Sequence, residues 1–179
     1  SNAYFRVYIT PTIDLTFIIS DYLTTLIFLT IQILIIFLVS EYYFNITLFN
    51  QLNNFFLLFF VITSVFIFQG MLIGYLFKKE EIAILTTVSI GSLYLLTSGI
   101  IFPLESMPSY ILSKVKFSPF VLSSKIIKEV LLFNLDMAAV KGLLHFLIGY
   151  CLVLLIIIIL VQKISKLKLI KQIPKDVKS

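Results

Sequence analysis

Thr97-Ser98-Gly99-Ile100-Ile101-Phe102-Pro103-Leu104-Glu105-Ser106-Met107-Pro108 closes a long apolar run and then breaks it. Pro103 has no amide hydrogen and Gly99 no side chain, so a membrane helix carrying both can kink, stop or unwind here, with Glu105 just beyond. Apolar segments lie on both sides, which places the break near one membrane face. The chain then has to double back before its final crossing.

Composition sets the class. Hydrophobic residues make up 60% of the 179 residues and charged residues 13%, against roughly 45–50% and about 25% in soluble domains. That is more apolar side chain than one small core can bury, so the chain reads as an all-α integral membrane protein: about four spanning helices at about 20 residues each, and one domain. One cysteine, Cys151, excludes an internal disulfide and a multi-cysteine metal centre. His145 has no second ligand in view, so no metal site is expected. The net charge of +5 comes from lysines that flank apolar runs, a pattern of membrane orientation and not of nucleic-acid binding.

Working outward toward the N-terminus, the run Ile82 to Leu104 follows Lys78-Lys79-Glu80-Glu81, a tight charged turn. Thr86, Thr87, Ser89, Ser92, Thr97 and Ser98 spread hydroxyls along this run, and such groups can satisfy themselves on preceding helical carbonyls. Before the turn, Phe55 to Phe77 carries Gly70 and Gly74 four apart on one helical face, a spacing that permits close helix packing, and Gln69 beside them can hydrogen-bond. Ser40 to Asn54 is polar with no lysine or arginine. The first span starts near Asp14, whose carboxylate suits the positive end of a helix, and carries Gln32 at mid-span, placed either to bond a neighbouring helix or to line a pathway. Ser1-Asn2-Ala3 reads as an expression-tag scar and is left out of the fold reading; whether the chain is a fragment of a longer protein stays open at this point.

Toward the C-terminus, 109–136 contains Lys114, Lys116, Lys125 and Lys128, too many charges for a conventional span. Ser118-Pro119 reads as an N-cap followed by proline at the first helical position, so outer helices over about 108–135 should lie on, or dip into, the leaflet. The last span is nearly pure Leu, Ile and Val. Expected spans are about 14–39, 55–77, 82–104 and 140–162, with a Lys-rich cytoplasmic tail over 163–179. Arg6, Lys78, Lys79 and six tail lysines (Lys163, Lys166, Lys168, Lys171, Lys175, Lys178) then face inside, and Lys114, Lys116, Lys125, Lys128 and Lys141 outside. This distribution puts both termini in the cytoplasm of a plasma-membrane protein.

Together with specific residues, this arrangement resembles the membrane subunit of type 2 ATP-binding-cassette exporters. Tyr8-Ile9-Thr10-Pro11 leading to Gln32 is similar to the family's cytoplasmic threonine-proline loop and third span. Gly70 to Ala83 resembles its glycine-ended fourth span and charged turn, and Ser118-Pro119-Phe120 the start of its second outer helix. Ser98-Gly99, Phe102-Pro103 and Met107-Pro108 resemble its most recognisable signature. The resemblance implies a permease subunit that forms a homo- or heterodimer, works with a cytosolic ATPase subunit carrying ATP and Mg, and moves a drug, lipid or lipid-linked glycan outward. A complete subunit of that family has six spans, and the first two have no counterpart here. No GxxxxGK[ST] phosphate loop occurs, so this chain is not expected to be an enzyme or to hold a cofactor of its own. The resemblance makes Gln32, Thr97, Ser98, Gly99, Pro103, Glu105 and Pro108 candidates for pathway or gate; Glu105 reads equally as a solvated loop carboxylate. Gly70 and Gly74 are the packing candidates. The alternative is a non-transporting assembly or scaffold subunit held by helix packing alone.

Overall fold

The computed structural model describes residues 14–44, 52–77, 79–99, 101, 107–133 and 135–176. Among these there are helices and no strands. Four are long and apolar enough to cross a membrane: α1 (Asp14–Phe44), α2 (Leu52–Leu76), α3 (Glu80–Thr97) and α6 (Met137–Asp176). Between α3 and α6 lie two short helices, α4 (Ser109–Val115) and α5 (Pro119–Ile127), and a π turn, Lys128–Leu132. The chain is a multi-pass, all-α membrane protein with short helices before its last span.

Local sequence explains the boundaries. Helix α1 begins at Asp14, and its 31 residues reach about 46 Å, past the roughly 30 Å of a hydrocarbon core. Helix α3 begins after Lys79 with Glu80 and Glu81 in its first turn, where negative charge meets the positive end of the helix. Its helical bonding ends at Thr97, well before the apolar run ends at Leu104. The cause is backbone geometry: Ser98 closes the helix with its amide on Leu95, and Gly99 follows at φ 74°, a left-handed turn that a residue without a β-carbon adopts freely. Helix α6 continues past the apolar Met137–Ile164 stretch into the lysine-bearing segment.

Helix α2 is the centre of the bundle. It packs most extensively on α6, and also touches α1, α3 and α5. The buried core is Leu58 and Val65 of α2, Leu122 and Ile126 of α5, Val130 of the π turn, and Val140 and Leu147 of α6. Helix α5 therefore has an inside and an outside: Pro119, Val121, Leu122, Ser123 and Ile126 are buried, while Lys125, Ile127 and Lys128 are exposed. Lys125 meets Glu129 one turn on at 3.7 Å, an exposed pair that contributes about 0.3–0.5 kcal/mol. In contrast, α3 has no buried residue, and most of α1 is open too. Apolar side chains on these helices face lipid or another subunit, where leaving water is no longer the driving term.

Candidate functional site

At the interruption, Thr97, Ser98 and Gly99 sit together at the end of α3. Ser98 is 2% exposed, its hydroxyl donating to the Leu95 carbonyl at 2.7 Å, and the Thr97 hydroxyl donates to Leu93 at 2.7 Å. The other hydroxyls of α3 behave likewise: those of Thr86, Thr87, Ser89 and Ser92 each donate to the carbonyl four residues back, at 2.8 to 2.9 Å. They are thereby consumed within their own helix and line no polar channel as donors. Pro108 begins the return: its carbonyl accepts from Ile111 and Leu112 at 2.9 and 3.0 Å, starting α4 at a φ of −53° that proline already favours. Pro103 and Glu105 lie outside the described residues.

Helices α4 and α5 form a hairpin that turns at Lys116, Phe117 and Ser118. Its turn is anchored by rings. Phe117 lies 5.8 Å from Phe146 of α6, and Phe120 contacts Phe66 of α2 at 6.1 Å and Tyr94 of α3 at 5.9 Å. Since Phe66 lies roughly 20 Å along α2 from its start, the hairpin reaches well into the bundle. Lys116 curls its ammonium over the Phe117 ring at 5.1 Å, an arrangement worth about 0.5–1 kcal/mol where exposed. Ser118 does occupy the N-cap of α5 with Pro119 at the first helical position, as expected, but its side chain makes no capping bond and its oxygen is buried without a partner. Pro119 removes one of the amides such a cap would otherwise serve.

Tyr94 joins these parts. Its ring stacks on Phe120, with an interplanar angle of 18°, and meets Phe66 edge-on at 6.4 Å. Its hydroxyl accepts from Gln69 Nε2 at 2.7 Å, and Tyr150 of α6 lies near it. One side chain thus ties α3 to α2, α5 and α6 just below the break. In a low-dielectric setting such a network is worth more than the same bonds in water, and one missing partner costs correspondingly more. Gln69 Oε1 is such an atom, buried and unpartnered.

The sequence-derived candidates divide accordingly. Thr97, Ser98 and Gly99 sit together at the α3 end and Pro108 caps the start of α4, whereas Gln32 is exposed on α1. Among the described residues, Gly70 and Gly74 meet no other helix: both are exposed, and a β-carbon at either would have nothing within 4 Å. Reading the sequence singled out Gln69, and Phe120 as part of Ser118-Pro119-Phe120, but missed Tyr94 and Tyr150. An aromatic residue amid leucines carries no signal of which helix it will meet.

Four apolar helices, an α3 that stops at a left-handed glycine, and a hairpin held into the bundle by rings agree with the family implied above. No curated protein and no solved structure matches the chain. A model of the ABC-2 type transporter family matches residues 4–132, from before α1 through the hairpin and its π turn. The chain therefore belongs to the ABC-2 type transporter family, whose members are permease subunits of ATP-binding-cassette transporters.

Proposed function

We propose that this chain is the permease subunit of an ATP-driven exporter that moves a hydrophobic or amphipathic substrate, a drug, a lipid or a lipid-linked glycan, out of the cell. The observation that carries the reading is the hairpin docked beneath the Gly99 break. A short element anchored by rings, beside a helix, α3, that is not buried in its own chain, supports reading it as an obstruction at the end of an outward path. Two such subunits, identical or not, would enclose the path between them. The open face of α1 with Gln32, and that of α2 with Gly70 and Gly74, are surfaces left for neighbours. Gly99, Ser98, Thr97 and Pro108, with Pro103 and Glu105, form the gate region. Both termini are cytoplasmic in the plasma membrane, and ATP and Mg bind in a separate cytosolic ATPase subunit whose closure is transmitted through the loops on its side.

Copurification in mild detergent tests this. An ATPase that accompanies the chain, and whose hydrolysis changes when the chain is present, is the expected result. Recovery of the chain with membrane partners but no ATPase would instead favour the scaffold subunit.

A further inference from the structure

Between α1 and α2, away from the Tyr94 network, runs an open groove of about 460 Å³. Asp21, Thr24 and Thr25 line its α1 side, and Phe66, Gly70 and Met71 are among the α2 residues facing them. Asp21 Oδ2 accepts from the Tyr75 hydroxyl at 2.8 Å, which sets the carboxylate at the end of the groove nearest the Lys79 turn. The Thr24 and Thr25 hydroxyl protons are donated to the carbonyls of Ser20 and Asp21, both at 2.8 Å, so toward the groove these oxygens offer lone pairs. No lysine or arginine among the described residues pairs with Asp21. The groove is therefore an acceptor-only, singly negative end on a largely apolar wall.

Asp21 is half-exposed and already accepts from Tyr75, and the further partner its charge favours is a cation. A bare divalent ion fits poorly, because calcium needs about six to eight oxygens and one carboxylate is present. An anion would meet the carboxylate head-on. A phospholipid would bring its phosphate to the same place. The volume lies in the range of roughly 300–1,000 Å³ that holds a compact organic molecule. We propose that this groove binds a hydrophobic monovalent organic cation, its charge against Asp21 and its apolar body along Phe66 and Met71. The inference stands on the geometry of the chain and does not rest on the direction of transport.

The test is binding of tetraphenylphosphonium to the purified chain, with tetraphenylborate as an anion of matched size and shape. Asp21→Asn keeps an acceptor for Tyr75, so folding should survive, yet it should weaken phosphonium binding by about fivefold, the weight of one half-exposed charge partner. Asp21→Glu should retain it. Gly70→Leu, whose added carbons enter open space, should block the groove and weaken both ions. Equal affinity for borate and phosphonium, or an Asp21→Asn variant that binds as the parent does, would overturn the proposal. So would a Gly70→Leu variant that alters only self-association, which would mean a second copy fills the groove. Because no ATPase is required, a failure here is separable from a failure of the exporter reading.

Discussion

Gly99 is where a single residue decides the path of the chain. Its φ of 74° costs an L-residue with a β-carbon roughly 1–2 kcal/mol, and a branched side chain at the α3 end adds bulk beside the buried Ser98. Gly99→Leu should therefore lower export in the complete subunit while membrane insertion stays intact. Unchanged export would remove the gating argument. Tyr94 offers the sharper probe, because Tyr94→Phe keeps the ring contacts and deletes only the hydroxyl that Gln69 reaches. Losing that partner should cost about 1–3 kcal/mol, measured as a lower midpoint of thermal unfolding in detergent, and Tyr94→Leu should cost more by removing the stacking as well. Gly99 could be read in the sequence because glycine is the residue that tolerates the turn. Tyr94 could not, since its partners come from three other helices that only the folded bundle brings together.

The hairpin is legible as an element for an electrostatic reason: Lys114, Lys116, Lys125 and Lys128 forbid an ordinary crossing, and Ser118-Pro119 marks a helix start. What the sequence does not carry is how α5 is held. Its buried face joins α2 and α6 through Leu122 and Ile126, and the π turn lets Val130 stay in the same core while Lys128 remains outside. Nothing in the order of residues 128–132 announces that extra residue per turn, because the turn is set by how α5 must meet α6. Ile126 is fully buried. Ile126→Ala should leave a cavity costing about 2–5 kcal/mol, and protease or thiol probes should then find residues 109–132 more reachable before the four long helices come apart. Identical protection in the variant and the parent would show that the hairpin is held elsewhere.

At the scale of the whole molecule, the four spans were legible because a run of about 20 apolar residues has few other uses. Their neighbours were not, because lipid-facing and protein-facing positions are equally apolar in a membrane. That is why Gly70 and Gly74, whose spacing suggests packing, turn out to face open space. Sidedness is checked by single cysteines in a Cys151→Ala background. A thiol at Lys114 or Lys125 should react with a membrane-impermeant maleimide added outside intact cells, and one at Lys79 or Lys163 should react only after the cells are opened. Labelling of 114 and 163 from the same side would undo both the topology and the exporter reading. The lack of any buried residue in α3 has a mechanical consequence. A rod that leans on α2 and α5 without burying any side chain gives up less packing on moving than the filled seam between α2 and α6, which is left to serve as a stationary frame.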